Sequence, residues 1–318
     1  MAENSVAPSG ETAWVITGPT SGIGYRTALE LAAHGTVILV GRNADKLSVV
    51  EKTITENGGH ATSIVADMSD IVSVRRAASE ILGLGLRIGG VLNNAGAMPA
   101  TSTLTPHGWD STFATNHLGP LAFTDALVSS LPDRANVVFI CSSTEDPTDK
   151  AATRSGFRGS RYISAEASSR GEYEPGGSTQ AGADAYATSK QGNLATVLSM
   201  ARQVPRLRFR AVEPGFNPGS SLSRDLPLGL RIMTKALMPF AAFIPGLNTP
   251  RRAARTIVRV LTDQSPATGV YYDGTGRTMS GSERVRDLRF SDRYLAESRA
   301  LLATIPQTGP TWPQDEPI

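Results

Sequence analysis

The stretch VITGPTSGIG, residues 15–24, joins a short apolar run to a segment with the pattern of a helix. Its three glycines have the spacing Gly-x-x-x-Gly-x-Gly. A glycine turn between a strand and a helix lets the backbone approach a pyrophosphate, which the helix N–H groups and dipole favour. Glycines at such a turn can also be purely structural. Because this turn follows the first strand of an α/β chain, we predict a dinucleotide site that includes Gly18, Thr20, Ser21, Gly22, Ile23 and Gly24.

Short apolar runs alternate with longer helix-like segments along the rest of the chain. Most of these runs are β-branched or aromatic with little polar alternation, which is typical of strands buried on both faces of a parallel sheet. The alternation predicts an α/β fold with a doubly wound sheet. The strand candidates are residues 13–17, 36–40, 62–66, 89–93, 136–140, 208–212 and 269–273. The helix candidates are residues 22–34, 43–57, 70–83, 107–130, 184–203, 249–263 and 291–303.

Two segments break this alternation, and neither has the pattern of a separate domain. Residues 144–185 form an insertion rich in Gly, Ser, Glu and Arg, and residues 214–248 are rich in Pro and apolar side chains. Long connections inside a compact domain are more often functional than idle, and the second segment is a candidate substrate lid. The tail IPQTGPTWPQDEPI is rich in proline, which predicts an extended or flexible end.

The charge balance argues against a nucleic acid or an anionic membrane as partner. The 318 residues carry a formal net charge of +2, from 31 basic and 29 acidic side chains. The N-terminal segment is polar and lacks the apolar core of a signal peptide. No uninterrupted apolar run reaches the roughly 20 residues of a transmembrane helix. We therefore expect a cytoplasmic protein without a transmembrane segment.

The few cysteines and histidines argue against a metal site. Cys141 is the only cysteine, so a disulfide within the chain is impossible and a cysteine-based zinc site is implausible. The four histidines do not pair at metal-ligand spacing. We predict no metal.

The end of the second strand bears on the choice of cofactor. An acidic residue there would bind the adenosine ribose and repel a 2′-phosphate, but the sequence has Gly41 and Arg42. A guanidinium can hold the phosphate and stack on adenine, which favours NADP(H), although Arg42 could also point to solvent. After the third strand, Asp67 and Met68 are placed to meet the adenine. Asp67 could equally be an N-terminal helix cap.

The stretch AYATSKQGN, residues 185–193, places a tyrosine and a lysine four residues apart in a run that could be helical. Such pairs occur often by chance, so the pair alone indicates little. Together with other motifs in order, it makes the chain, from about residue 12 to 303, resemble the short-chain dehydrogenase/reductase family. The motifs are TGPTSGIG (17–24), NNAG (93–96), FATNHLG (113–119), VVFICSS (137–143), YATSK (186–190) and EPG (213–215).

The resemblance implies one Rossmann-type domain over residues 1–318, with a seven-stranded parallel sheet and helices on both faces. It also implies that Tyr186 is the general acid and base. On a helix, Tyr186 and Lys190 share one face. A phenol titrates near pH 10, and a nearby ammonium and an oxidised nicotinamide are expected to lower that pKa. Lys190 would also hold the nicotinamide ribose.

Two further catalytic residues follow from the resemblance. Ser143 would hydrogen-bond the substrate carbonyl, and it is chosen over the adjacent Ser142 because family members carry the catalytic serine at the second position. Asn116 would steady a water that links Lys190 to solvent, or it could merely bridge a helix distortion.

The remaining cofactor contacts are also carried over from the family. Asn94, Ala95 and Gly96 would line the cofactor cleft at the end of the fourth strand, and Pro214 and Gly215 would place backbone groups near the nicotinamide carboxamide. The family's usual threonine after that turn is not obvious. Asn217 and Ser220 are possible replacements.

The spacing between Ser143 and Tyr186, which encloses 42 residues, resembles the retinol dehydrogenase-like and protochlorophyllide reductase-like branch. Those relatives favour NADP(H) and bulky lipophilic substrates. We therefore expect an NADPH-dependent reductase of lipophilic ketones or aldehydes that also works in reverse. Alternatives are a C=C reductase and a non-catalytic NADP(H)-binding redox sensor. The insertion could cover the face through which relatives pair, so both a monomer and a homodimer are open.

Overall fold

The computed structural model describes residues 12–215 and 249–306. In these residues an eight-stranded sheet has the order β3-β2-β1-β4-β5-β6-β7-β8. The strands are β1 (Thr12–Thr17), β2 (Thr36–Gly41), β3 (Ala61–Val65), β4 (Arg87–Asn93), β5 (Asn136–Ile140), β6 (Arg208–Val212), β7 (Val270–Tyr272) and β8 (Thr278–Met279).

The first seven strands are parallel, and only β8 runs antiparallel to its neighbour β7. All seven strands predicted from the sequence are present and form the predicted parallel sheet. The described residues add an eighth strand, β8, that was not predicted. The two residues of β8 follow β7 by a tight turn and add no apolar run that a pattern could detect.

Helices connect the strands and lie on both faces of the sheet, as predicted. The helix predicted at 107–130 begins later and contains a π-helical turn, and the insertion holds short helices that were not predicted. The helices are α1 (Gly22–Leu31), α2 (Ala44–Glu56), α3 (Ile71–Gly83), α4 (Ser111–Phe113), the π-helix (Ala114–Leu118), α5 (Gly119–Val128), the 3₁₀-helix (Ser143–Glu145), α6 (Lys150–Arg154), α7 (Ala165–Ser169), α8 (Ala183–Gln203), α9 (Pro250–Thr262), α10 (Glu283–Arg286) and α11 (Leu288–Ala303).

The core has two layers because successive side chains of a strand point to opposite faces. In β1, Ala13 and Val15 face the layer that α3, α5 and α8 cover. Trp14 and Ile16 face the layer that α1, α2 and α9 cover. This burial on both faces explains the near-continuous apolar runs in the sequence.

The insertion packs over α8 together with α11. The Tyr162 ring of the insertion stacks on Tyr294 of α11 with ring centroids 3.7 Å apart. The Tyr294 hydroxyl donates to the Thr188 carbonyl of α8 at 2.9 Å, and the Arg161 N–H donates to the Thr188 hydroxyl at 3.0 Å. As a result, α8 is enclosed between the sheet and a second layer.

Several predictions concern residues outside the described ranges. The candidate lid lies outside them from residue 216 onward, and so do Asn217, Ser220 and the tail beyond residue 306. One domain over residues 1–318 therefore stays a prediction. Within the described residues, every helix is too short or too polar to cross a membrane.

Candidate active site

The predicted site residues follow the carboxyl ends of the central parallel strands, which meet at one edge of the sheet. Gly18 follows β1, Asn94 follows β4 and Ser143 follows β5. The chain continues outward from β1 to β2 and β3, and then returns to place β4 on the other side of β1. Ligands of open α/β sheets bind in the crevice at such a reversal of strand order.

The glycine turn requires glycine for two separate reasons. Gly18 and Gly22 have φ values of 69° and 57°, in the left-handed region that favours glycine. Gly24 has no such φ, but a Cβ there would overlap the carbonyl oxygen of Gly18. The close approach of α1 to the end of β1 therefore excludes any larger residue at position 24.

The N-terminus of α1 suits a phosphate. Its N-cap residue, Ser21, has extended backbone, and within the described part of the chain its side chain makes no capping hydrogen bond. The first turn of α1, which contains Gly22, Ile23 and Gly24, carries no acidic residue. The first N–H groups and the helix dipole thus point at the crevice, where they would favour a pyrophosphate.

Asn94 braces the glycine turn from the end of β4. Its side-chain amide donates to the carbonyl oxygens of Thr17 and Gly18 at 2.9 and 3.2 Å. The backbone N–H groups of Asn94 and Ala95 both donate to the Thr17 hydroxyl at 3.0 Å. Thr17 was not among the predicted site residues, although a threonine at the last position of β1 was the available signal. These bonds make Asn94 a structural link between β1 and β4.

Three further predicted cofactor residues lie directly after β2 and β3. Arg42 is exposed directly after β2, while Met68 is buried beneath the loop that follows β3. The Asp67 carboxylate accepts from the N–H and hydroxyl of Ser69, at 2.9 and 2.8 Å. The N-cap of α3 is Asp70, so Asp67 is not the helix cap that was considered for it.

Tyr186 and Lys190 lie one turn apart on the buried face of α8. The Lys190 Nζ is 5.5 Å from the centre of the Tyr186 ring and donates to the Ile140 carbonyl at 2.9 Å. Both side chains are buried, and burial lowers the pKa of Lys190. Gly96 adjoins the pair, since a Cβ at that position would be 3.5 Å from the Lys190 Nζ.

The pKa of Tyr186 departs from the expectation. Burial raises this pKa above the usual value for a phenol, and the negative charge of Glu213 raises it further. A hydrogen bond with the Ser142 side chain opposes the rise but does not cancel it. In the protein without cofactor, burial thus acts against the lowered pKa expected from the sequence. The lowering by a bound nicotinamide stays a prediction. At neutral pH the Tyr186 phenol holds its proton.

The two adjacent serines make different contacts. The Ser142 side chain interacts with Tyr186 and acts to lower its pKa, and the Ser142 hydroxyl also accepts from the Thr144 hydroxyl at 3.1 Å. Ser143 uses its backbone N–H, which donates to the Glu213 carboxylate at 2.7 Å. The catalytic role expected for Ser143 stays a prediction, and the interaction with Tyr186 makes Ser142 a candidate for the same role.

Asn116 is fully buried in the π-helical turn and joins it to the loop after β4. Its amide nitrogen donates to the Ala97 carbonyl and its amide oxygen accepts from the Ala97 N–H, both at 2.8 Å. The same nitrogen donates to the Ser189 hydroxyl at 3.2 Å. Asn116 therefore does bridge a helix distortion, and its role toward a water stays a prediction.

Glu213, which the sequence analysis did not select, connects the ends of β5 and β6. Its carboxylate accepts from the N–H groups of Ser143 and Gly215, at 2.7 and 3.0 Å. Burial raises the pKa of Glu213 to about 7, although both hydrogen bonds act in the opposite direction. Pro214 is buried and Gly215 has a φ of 76°. The sequence signal that could have identified Glu213 is an acidic residue between a buried strand and a Pro-Gly turn.

A comparison with protein families agrees with this geometry. The family model described as short chain dehydrogenase matches residues 12–153, from β1 through the end of β5 into the insertion. The chain belongs to the short-chain dehydrogenase/reductase family. The family prediction from the sequence motifs is thereby confirmed, and the members of this family bind a nicotinamide cofactor.

Curated relatives of this short-chain dehydrogenase/reductase come from diverse organisms. An Armillaria gallica short-chain dehydrogenase/reductase is 32% identical over 209 residues, 65% of this chain and 64% of that protein. The putative daunorubicin C-13 ketoreductase DnrU of Streptomyces sp. (strain C5) is 30% identical over 203 residues, 63% and 64% of the two chains. Retinol dehydrogenase 13 of Homo sapiens is 33% identical over 120 residues, 37% of this chain and 35% of that one. The first two matches thus span 64% of the relatives' length.

A solved structure extends the similarity over most of the chain. The crystal structure of a putative uncharacterized protein from Mycobacterium Paratuberculosis is 26% identical, with a TM-score of 0.66. The superposition covers 92% of this chain and 94% of that protein. The similarity confirms the Rossmann-like α/β architecture.

Proposed function

We propose that this oxidoreductase uses NADPH to reduce the carbonyl group of a lipophilic ketone or aldehyde to an alcohol, and that it also runs in reverse. The observation that carries the proposal is the buried phenol of Tyr186 beside Lys190, whose Nζ lies 5.5 Å from the ring centre, and burial raises the pKa of this phenol. A phenol that keeps its proton at neutral pH is a proton donor, as carbonyl reduction requires. The similarity to a protein named as a ketoreductase also supports carbonyl reduction.

The residues of the site divide the chemistry among them. The bound dinucleotide would supply the hydride. Tyr186 donates its proton to the carbonyl oxygen, and the Ser142 hydroxyl hydrogen-bonds the same oxygen as negative charge develops there. The ammonium of Lys190 stabilises the phenolate that remains after proton transfer. In the reverse direction Tyr186 takes the proton back from the alcohol.

The proposed lipophilic substrate is supported by apolar side chains around Tyr186. Phe157 of the insertion has its ring centre 6.3 Å from that of Tyr186. Ala152, from the same insertion, and Met98, from the loop after β4, belong to this apolar cluster. The insertion thus gives one side of the catalytic tyrosine an apolar wall, which suits a substrate with a hydrocarbon body.

The proposed preference for NADP(H) rests on the position of Arg42, exposed at the carboxyl end of β2 where an acidic residue would repel a 2′-phosphate. We expect Arg42→Asp to lower the preference for NADPH over NADH roughly 30-fold, because one charge-assisted hydrogen bond is lost and a repulsion is added. The ratio of kcat/KM for the two cofactors measures the effect. Arg87→Asp is the control, since Arg87 is exposed at the opposite end of β4. An unchanged ratio in Arg42→Asp would remove Arg42 from cofactor selection.

The decisive experiment follows NADPH absorbance with a panel of lipophilic ketones, aldehydes and enones. Wild type is compared with Tyr186→Phe and with Tyr272→Phe, a tyrosine of β7 outside the proposed site. We expect turnover with wild type and Tyr272→Phe and a loss of at least 100-fold with Tyr186→Phe. Product structures distinguish an alcohol from a reduced C=C bond. Full activity in Tyr186→Phe would overturn the proposed role of the tyrosine.

A cytoplasmic location stays a prediction from the sequence.

A further inference from the structure

Glu213 occupies the junction of three strands and two turns at the proposed site. Its backbone N–H donates to the Tyr272 carbonyl of β7 at 2.8 Å. One carboxylate oxygen, Oε2, accepts from the Ser143 N–H at 2.7 Å, and the other, Oε1, accepts from the Gly215 N–H at 3.0 Å. The side chain therefore joins the turn that carries Ser142 to the turn that follows β6.

Ionisable groups from several elements interact electrostatically with Glu213. They are Tyr186 and Lys190 of α8, Cys141 at the end of β5, Tyr271 of β7 and Asp149 at the N-cap of α6. Among these described residues Lys190 is the only cation, so this set offers the Glu213 anion one partner of opposite charge.

We propose that Glu213 is a positioning residue of the active site: its carboxylate fixes the Ser142–Ser143 turn against the Pro214–Gly215 turn. This inference rests on the proposed function for its catalytic consequence. The positioning of the two turns by Glu213 rests only on its hydrogen bonds with the backbone N–H groups of Ser143 and Gly215.

The two oxygens of Glu213 explain why its charge matters for the geometry. An ionised carboxylate accepts on both oxygens, so it can serve both turns at once. A protonated carboxyl keeps one good acceptor and turns the other oxygen into a donor, which leaves one of the two N–H groups poorly bonded. Deprotonation of Glu213 therefore strengthens the hydrogen bonds that join its carboxylate to the two turns. The pKa of about 7 places this change in the neutral range.

The charge of Glu213 also acts on the two catalytic residues of α8. It raises the pKa of Tyr186, which opposes formation of the phenolate, and it raises the pKa of Lys190, which favours the ammonium. Neutralising Glu213 would therefore lower both pKa values. For the reaction, a lower pKa of Tyr186 makes the phenol easier to ionise and extends alcohol oxidation to lower pH.

The first test requires no turnover and uses the backbone amide signals of Ser143 and Gly215 in ¹⁵N-labelled protein. In wild type both signals should shift with pH around a midpoint of about 7. In Glu213→Gln the shift should disappear, and in Glu213→Asp, which keeps a charge on a shorter side chain, it should return in part. Glu145→Gln is the matched control, because Glu145 is a second buried carboxylate that bonds to Ser282 and Gln191 instead. Wild-type signals that stay constant between pH 5 and 9 would overturn the proposal (a range chosen to span about two units on either side of the midpoint).

A stability measurement provides a second readout without substrate. The pKa of Glu213 in the folded chain, about 7, is above the ordinary value of 4.5 for this group. The folded chain therefore holds this proton more tightly than the unfolded chain, and folding stability falls as the pH rises from 4.5 to about 7. The urea midpoint of wild type should fall relative to that of Glu213→Gln across this window. A constant difference between the two proteins would contradict the proposal.

The kinetic test uses the pH profile of alcohol oxidation, whose acid limb reports ionisation of Tyr186. In Glu213→Gln we expect this limb to move to lower pH by about one unit. Glu145→Gln should keep the wild-type limb. If wild type turns over none of the alcohols or carbonyls, the proposed function fails, but the amide titration still decides the role of Glu213. If turnover is normal and Glu213→Gln has the wild-type profile, the function stands and the role assigned to Glu213 is overturned.

Discussion

At the scale of single residues, the site depends on which neighbour each polar atom meets. Tyr186 lies beside Lys190, and burial and the charge of Glu213 both raise its pKa, while the Ser142 side chain acts to lower it. Ser143 contributes only its backbone N–H to this arrangement among the contacts described. Ser142 interacts through its side chain and Ser143 through its backbone, so alanine variants of the two serines should differ in activity.

We expect Ser142→Ala to lower kcat about 100-fold, because it removes a hydroxyl donor from the developing oxyanion. Ser143→Ala should change kcat only a few-fold, about 1 kcal/mol or less, since alanine retains the backbone N–H that Glu213 accepts. Steady-state rates with a carbonyl substrate measure both. A larger loss of kcat in Ser143→Ala than in Ser142→Ala would instead identify Ser143 as the catalytic serine.

The sequence predicted the identity of Tyr186 and Lys190 but not the environment that sets their pKa values. Spacing along a helix places the two side chains on one face, and that information is local. Burial depends on α11, the insertion and the end of β6, which are distant in sequence. Glu213 was missed for the same reason: its two N–H partners come from different turns, and only the tertiary structure brings Ser143 to it.

At the scale of elements, the turn between β1 and α1 is the most constrained part of the site. Gly24 approaches the Gly18 carbonyl so closely that an added Cβ would overlap its oxygen and crowd the Asn94 amide. Asn94 is the residue that holds this turn to β4. A change at position 24 should therefore affect both the fold and the cofactor crevice.

We expect Gly24→Ala to destabilise the protein by about 2 kcal/mol and to weaken dinucleotide binding, because the overlap forces the turn apart. Gly83→Ala is the control, since a Cβ at the end of α3 meets open space. Thermal unfolding and a fluorescence titration with NADPH measure the two effects. Equal unfolding temperatures and equal NADPH affinities in Gly24→Ala and Gly83→Ala would contradict the close approach of position 24 to the Gly18 carbonyl.

A second element-scale feature is Arg210 of β6, a fully buried arginine that holds the connection between α9 and β7. Its guanidinium donates to the carbonyl oxygens of Val260 at 2.8 Å and Ser265 at 2.9 Å, and lies 3.1 Å from the Asp263 carboxylate. The Arg210 guanidinium thus supplies the loop with hydrogen-bond donors that the backbone does not provide.

We expect Arg210→Met to lower the free energy of unfolding by about 3 kcal/mol, because the loop carbonyls and the carboxylate lose a buried partner. Arg259→Met is the comparison, since Arg259 is an exposed residue of α9 whose guanidinium donates to the Thr275 carbonyl. Urea unfolding of the three proteins gives the difference. A loss in Arg210→Met no greater than that in Arg259→Met would contradict this account.

Periodicity predicted the strands and long helices well because both faces of this sheet are covered, so every parallel strand is an apolar run. The same signal is absent where structure depends on tertiary contacts. β8 consists of Thr278 and Met279 beside β7, and α6 and α7 are single turns whose N-caps, Asp149 and Ser164, are the main local signal. Hydrophobic periodicity cannot detect elements as short as these.

At the scale of the whole molecule, α8 is enclosed on all sides within the described residues. Of its 21 residues, Ala183–Gln203, all but four are buried. His117 of the π-helix and Tyr294 of α11 both approach Gly192 so closely that a Cβ there would crowd their rings. The side chain of His117 also contacts the hydroxyl of Ser298 of α11 at 2.8 Å. Side chains of the same chain thus cover α8 in the described part of the structure.

We expect a monomer of about 33.6 kDa in solution, because the insertion and α11 already bury the outer face of α8. Light scattering coupled to size-exclusion chromatography measures the mass at two protein concentrations. Tyr294→Ala would uncover part of that face, and a rise in mass only in this variant would support the explanation. A wild-type mass twice the monomer value would contradict it.

The contact between α8 and α11 has a consequence for the order in which the chain is made. The ribosome synthesises Tyr186 and Lys190 about a hundred residues before Tyr294, and long-range contacts form late in folding. Until α11 emerges, the helix that carries Tyr186 lacks the side chains that cover this face, and transiently exposed apolar surface favours aggregation. A premature stop before residue 288 would therefore remove none of the chemistry-bearing residues and still yield a chain that cellular proteases recognise.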